Sequence, residues 1–405
     1  MTIFTCTPVS FGGGLDFFAR DSGLLCKGFQ ALGHACKAVM PLPSHDADQH
    51  EDLIRTDPAD LENVCWWRNR KPELVVLYAW GSPRYTRVAK AIRSSGAFLV
   101  LNQDSGGLVS PIVGLKPWFQ EQWILSGGGT TPNAWRKTML RTIRGLSVGL
   151  GFTDPMRAEH LSDGNVIACV SPMAADHYRV LCRRYRGNEL ADRIAVVPHP
   201  VETGFCFDGE GKERKIACIG RWKDSVQKRP RLLIEVIGRL LESDPLVTVE
   251  IAGACHDEME PWHRSLTEGI RKRVSLHGRI GREELAALLR RCRVFYSPSA
   301  FESFGIAAAE ALCSGCSVVA QQSVSMTSFD WFVSEKSGNL ATSDSASSHV
   351  AALTAELDAW ERGERDPLAI SSIWSRRLHA DKVAGRILRL MHGDRHEVSA
   401  IHAGN

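Results

Sequence analysis

The chain has 405 residues, of which 44% are hydrophobic and 23% charged, a balance that fits a globular protein with two full cores of roughly 200 residues each. A formal net charge of +3 is too small on this length to support nucleic acid as the main partner. No apolar run approaches the ~20 residues that a membrane-spanning helix requires.

The start, "MTIFTCTPVSFGGG", lacks a basic leader and enters a strand-like segment at once, so a cytoplasmic location is the default expectation. "TIFTCTP" reads as a strand, "GGG" as a turn, "LDFFARDSGLLCKGFQALG" as one helix capped by Gly33, and "HACKAVM" as a second strand, which together make a βαβ unit. Further buried strands are expected at "LVVLYAW", "AFLVLNQ", "NVIACVS" and "RIAVVPHP", with helices at "PRYTRVAKAIRSSG" and "MAADHYRVLCRRY". The pattern relaxes into the polar "VETGFCFDGEGKER" and then starts again: strand "KIACIG", helix "RPRLLIEVIGRLLESD", strands "VTVEIAG" and "VSLHGRI", helix "REELAALLRRC", strand "VFYSPS", an alanine-rich helix and strand "SVVA".

The predicted organisation is therefore α/β, with an N-terminal domain over 1–200, a linker over 201–214 and a second domain over 215–372. A basic amphipathic helix over 373–395 is expected to pack back on the first domain, ahead of a tail at 396–405. Ligands of open parallel sheets bind beyond the carboxyl ends of the strands, so the loops after "TCTP", "LNQ", "CIG", "IAG" and "YSPS" are where chemistry is expected.

In "SAFESFGIAAAEAL", Glu302 and Glu310 stand eight positions apart. At about 100° per residue that spacing would leave the two side chains some ~80° apart on a helix, so they are not one surface stripe. Pro298 and Gly305 make the first half a loop, and Gly315 stops a helix that begins after it, which puts the glutamates on either side of a helix N-terminus suited to phosphate. Arg221 and Lys228 follow the strand "KIACIG" and precede the next helix, a placement suited to a diphosphate and equally to a solvated basic turn. In the first domain Gly12, Gly13 and Gly14 allow a close backbone approach to an anion.

The pair Cys313 and Cys316 has C-x-x-C spacing, but nothing nearby completes a four-ligand set, and packing is the expected role. The other cysteines, among them Cys169, Cys218 and Cys292, fall mainly in apolar segments, as small hydrophobes of a reducing compartment do. The D-x-D of Asp46 and Asp48 lies in the polar stretch "SHDADQHED" and reads as a solvated turn rather than a metal site.

The stretches "GRWKDSVQKRPRLLIEV", "VVPHPVE" and "VSLHGRIGREELAALLRRCRVFYSPSAFESFGIAAAEALCSGCSVVA" resemble the donor-binding domain of the family 4 retaining glycosyltransferases, most strongly over 195–340. The resemblance implies a GT-B fold, two Rossmann-like domains facing across a cleft, and a nucleotide diphosphate sugar as donor. Arg221 and Lys228 would hold the diphosphate, Glu302 the transferred sugar and Glu310 the ribose. Ser303, Phe304, Gly305 and Ile306 would add backbone donors, and no metal or other cofactor is expected. Where the family often has a histidine near the donor sugar, this chain has Asn102, Gln103 and Asp104; Gln103 is the nearest match, and Asp104 is a candidate for the acceptor hydroxyl or a turn residue.

Residues 111–150 interleave Trp118, Trp123 and Trp135 with Arg136, Lys137, Arg141 and Arg144. Two readings stand open there, a packed domain face and a peripheral contact with the anionic inner face of a membrane, where the acceptor would be lipid-linked. The acceptor is otherwise a glycan, glycolipid or small glycoside. A sugar-nucleotide epimerase of the same fold and a non-catalytic sugar-nucleotide-binding scaffold are the alternative functions.

Overall fold

A computed structural model describes residues 1–12, 14–42, 50–104, 108–128 and 131–394. Gly13 and the D-x-D aspartates Asp46 and Asp48 lie outside the described residues. The chain divides into two compact units, Met1–Glu202 with Leu378–Asn405, and Thr203–Arg377.

The first unit is built on a parallel sheet in the order β3-β2-β1-β4-β5-β6-β7. The strands are β1 (Thr2–Cys6), β2 (Ala35–Pro41), β3 (Leu53–Thr56), β4 (Leu74–Tyr78), β5 (Phe98–Gln103), β6 (Val166–Cys169) and β7 (Ile194–Val196). The central strands are apolar along their whole length because helices cover both faces, as in doubly wound sheets. One face packs Phe4, Val75, Leu77, Leu99 and Ile167 against Trp67, Ile92 and Leu161. The other packs Ile3, Val76 and Val100 against Phe18, Leu25, Phe29 and Ile387. The topological switch lies between β1 and β4, where chain order reverses, and it fixes where this unit opens to a ligand.

The single helix expected after the glycine turn is two, Leu15–Phe18 and Asp21–Ala31. Asp21 adopts φ +47°, a left-handed conformation that an uninterrupted helix does not allow. Gly33, at φ +82°, ends the second helix as expected, its N–H donating to the Gln30 carbonyl.

The second unit has a six-stranded parallel sheet, β10-β9-β8-β11-β12-β13. Its strands are β8 (Glu213–Ile219), β9 (Thr248–Ala252), β10 (Val274–Gly278), β11 (Cys292–Ser297), β12 (Ser317–Gln321) and β13 (Gly338–Ala341). The Pro230–Ser243 helix buries Leu233, Val236, Ile237 and Leu240 against it, at apolar positions spaced three and four apart. The Ala346–Glu361 helix covers the edge near β13, held in part by a buried bidentate pair between Arg365 and Glu356.

The C-terminal segment is also two helices rather than one. Pro367–Leu378 buries Trp374 against Trp331 and Phe332 in the second unit. Ala380–Met391 lies on the Asp21–Ala31 helix of the first unit, near enough that a Cβ at Gly28 would come within 2.3 Å of the Ala380 carbonyl oxygen. The break at His379 pairs with Val201, whose N–H donates to Leu378 and whose carbonyl accepts from Ala380.

Candidate active site

In the second unit the loops after β8 and β11 assemble one connected polar cluster. Gly253 makes room for the first loop: at φ +115° its Cα sits so close to the Gly220 carbonyl that a Cβ would be 1.9 Å from that oxygen. Trp222 anchors the same loop, donating from Nε1 to the Ala252 carbonyl at 2.9 Å. Asp224 turns the chain by accepting from the Gln227 N–H. Lys228 then forms an ion pair with Glu302, both side chains largely buried. Gln227 ties the cluster together, accepting from Arg221 Nη2 at 3.0 Å and donating from Nε2 to Glu302 at 3.2 Å. Ser299 adds a third donor to that carboxylate at 3.0 Å. Arg229 is committed elsewhere, to Gln321 and Asp344.

The loop from Ser303 to Ile306 is fixed from below. The Ser303 carbonyl accepts from Thr327 and Ser328 at 3.0 and 2.8 Å, and Phe304 is buried edge-on against Phe332. Gly305, at φ +82°, starts the Ile306–Cys313 helix, whose first turn has backbone N–H groups without intrahelical acceptors. Glu310 lies one turn inside this helix, 2% exposed, with Arg282 Nη2 at 2.7 Å. The Arg282 guanidinium also lies over the Phe205 ring, 4.6 Å from its centroid. The structure thus places Arg221, Lys228 and Glu302 in one network and sets Glu310 at the other side of the helix start, with Gln227, Ser299 and Arg282 as partners that sequence reasoning did not single out.

In the first unit a cavity of about 450 Å³ opens at the carboxyl ends of β1, β4, β5 and β7, the position the strand switch dictates. Gly12 lines it, beside Asp16, Arg20, Asp21, Tyr78, Asp104 and His199. Gly14 precedes the Leu15–Phe18 helix, which has only four residues, so little helix dipole stands behind the glycine turn and the anion expected there loses that support. The charged groups around the cavity are the carboxylates Asp16, Asp21 and Asp104 against Arg20 and His199.

His199 is the centre of that arrangement. It is 2% exposed, with Nε2 2.9 Å from Asp104 and Nδ1 3.8 Å from Asp21. Burial alone would depress its pKa, but the two carboxylates outweigh burial and raise it above the ordinary value. Tyr78 stacks on its ring at 6.2 Å, and its own hydroxyl is pushed up by burial and by the same two carboxylates. Gln103 is fully buried, its amide lying where a Cβ at Gly81 would point, and it does not line the cavity. A histidine therefore reaches the site from the loop after β7, in the "VVPHPVE" segment, and the residue that holds it is the Asp104 marked as an acceptor candidate.

Among the described residues no group of three or more His, Cys, Asp or Glu side chains is placed to hold a metal ion. Cys313 and Cys316 are fully buried and burial pushes both thiols up, as packing residues require.

Residues 213–357 match the family model of glycosyl transferases group 1. No curated protein matches the chain in sequence. Solved structures match it over nearly its whole length. The lipopolysaccharide outer core galactosyltransferase WaaB superposes with a TM-score of 0.63 at 14% identity, covering 97% of this chain and 99% of its own. HepE of Anabaena, solved with UDP and glucose, gives 0.58 at 14%, with 97% and 100% covered. The sucrose-phosphate synthase of Thermosynechococcus elongatus gives 0.59 at 14%, with 97% and 99% covered. At such identities the likeness is one of fold, and the fold is GT-B, with two Rossmann-like parallel-sheet domains.

Proposed function

We propose that the protein is a retaining glycosyltransferase that moves a sugar from a nucleotide diphosphate sugar to a hydroxyl acceptor. The observation that carries this reading is the Arg221–Gln227–Glu302–Lys228 network inside the segment that matches glycosyl transferases group 1. A departing nucleoside diphosphate gathers negative charge as the sugar C1–O bond breaks, and cations fixed beside it stabilise that state more than the ground state. Lys228 has three N–H donors, so its pairing with Glu302 leaves capacity for a phosphate oxygen. Glu302, oriented by Ser299 and Gln227, is the hydrogen-bond acceptor for hydroxyls of the transferred sugar, and Glu310, held by Arg282, is that for the ribose.

The acceptor hydroxyl attacks C1 from the face the diphosphate leaves. Its proton passes to the leaving phosphate oxygen, so no separate strong base is required. Asp104 and His199 would orient the acceptor in the first unit. The two cations meet the charge of the leaving group, so the reading does not call on a metal.

A thermal-shift screen against UDP, GDP, ADP and their sugar conjugates tests donor binding. Ligand at ~100 times its dissociation constant adds about 2.7 kcal/mol, and Glu310→Ala abolishes that gain. Product analysis with the selected donor then separates glycosylated acceptor from isomerised donor. Lys228→Ala lowers turnover while retaining donor binding; turnover equal to wild type removes the phosphate role from Lys228.

A further inference from the structure

The tryptophan-rich region of the first unit carries a surface that lies outside both the polar cluster and the cavity described above. The Pro132–Arg144 helix runs on through a π-helical stretch, Gly145–Thr153, into the Asp154–Ser162 helix. One side of this rod is seated: Ala134 and Thr138 are buried, and Gly145 lies so close to buried Trp118 that a Cβ would come within 2.3 Å of its ring. The other side is apolar and open. Trp135, Met139 and Ile143 follow at intervals of four with Leu140 beside them, and the stripe continues through Leu146 to Phe152, with Ile143 58% and Phe152 63% exposed. The Gly145–Thr153 stretch has no buried residue at all.

Single exposed apolar side chains are ordinary, whereas a contiguous set marks a contact. Of the seventeen large apolar side chains exposed among the described residues, eight fall within residues 135–156. Charge then selects the kind of contact. Between Glu121 and Asp154 the sequence has no Asp or Glu, but it has Arg136, Lys137, Arg141 and Arg144, all on exposed positions of the same helix. Lys137, Arg141 and Arg144 are spaced by four and three, so they form a cationic strip alongside the apolar one. A face of this composition complements a layer that is apolar within and anionic at its surface. No helix among the described residues is long and apolar enough to cross a membrane, so the rod would lie in the surface plane.

We infer that the face spanning Trp135 to Phe152 is a docking surface for an anionic lipid bilayer, with its apolar stripe entering the interface and its cations meeting the headgroups. The inference goes beyond the transfer reaction and does not depend on it.

Flotation of the full chain with phosphatidylcholine vesicles, with and without phosphatidylglycerol, tests it without any activity readout. Wild type is expected to float with the anionic vesicles and to remain largely unbound with phosphatidylcholine alone. Each cation near an anionic surface contributes about a five-fold factor, so Lys137→Gln with Arg144→Gln is expected to lower partitioning roughly twenty- to thirty-fold. Ile143→Ser with Phe152→Ser is expected to abolish flotation while the thermal melt and nucleotide-induced shift stay unchanged. Failure of the wild type to float with anionic vesicles overturns the inference, as does full flotation of both double variants. A concentration-dependent dimer in sedimentation that Ile143→Ser with Phe152→Ser dissociates also overturns it, because a second copy would then cover the face.

Discussion

Replacing Asp104 by Asn isolates the charge that holds His199. The amide keeps an oxygen that can accept from the imidazole Nε2–H but loses the negative charge 2.9 Å away. A hydrogen bond to a charged group contributes about 1.5–3 kcal/mol and the neutral one that remains about 0.5–1.5 kcal/mol, so with Asp104 27% exposed a difference of about 1 kcal/mol is expected. In a unit of this size each kcal/mol moves the melting temperature by about 2–4 °C, so the expected loss is roughly 2–4 °C. The sign with pH follows from the raised histidine pKa. A group whose folded value exceeds its unfolded value of about 6.5 contributes fully below that value, and the contribution fades as pH rises through the folded value. The gap between wild type and Asp104→Asn should therefore be widest below the unfolded value of about 6.5 and should close as pH rises through the raised folded value. Differential scanning fluorimetry across that range reads it directly. A gap that is constant with pH, or that widens at alkaline pH, refutes the assignment of the pair as imidazolium and carboxylate.

Two further perturbations test backbone positions. Gly305→Ala combines a left-handed φ, about 1–2 kcal/mol for a residue with a Cβ, with a Cβ placed 2.8 Å from the Phe329 ring, so thermal stability and nucleotide-induced stabilisation should fall together in a melt with and without donor. Gly28→Ala drives a Cβ into the Ala380 carbonyl; overpacking of this kind costs about 1–3 kcal/mol, and hydrogen exchange should show Ala380–Met391 protected in wild type and exchanging faster in the variant.

The sheets were legible because their central strands are unbroken apolar runs, and turn residues bound them. The two strands that escaped sequence reading, β3 and β13, are edge strands of four residues, too short and too mixed in polarity to show a period. The breaks at Arg20 and His379 escaped for a different reason: neither is marked by proline or glycine, the first coinciding with the left-handed Asp21 and the second falling where one helix packs on Trp331 and Phe332 and the next on the Asp21–Ala31 helix. In the site, residues with a charge and a strand-end position were visible. Gln227 was not, since an amide carries no titration signal, and Arg282 sits on a helix whose pairing with Glu310 appears only when two βα units lie side by side. His199 and Asp104 are far apart in sequence and meet because β5, β6 and β7 are neighbours in the sheet.

That neighbourhood also separates two roles that the end of β5 seemed to combine. Successive residues of a strand point to opposite faces, so Gln103 and Asp104 cannot both serve one cavity from an extended backbone. Asp104 lines the cavity, while the Gln103 amide is fully buried with neither its oxygen nor its nitrogen hydrogen-bonded among the described residues. An unsatisfied buried polar group costs about 1–3 kcal/mol, and replacing it by an apolar group of similar shape is neutral or stabilising. Gln103→Leu should thus leave the melting temperature unchanged or raise it, with the KM for the donor unaltered. If the amide instead bonds a sugar hydroxyl, the same variant keeps its stability but loses donor or acceptor affinity, by a factor of ten or more for each hydrogen bond of about 1.4 kcal/mol. Steady-state kinetics on the folded variant decides between the two, and a raised KM would return Gln103 to the sugar site that its place in the sequence suggested.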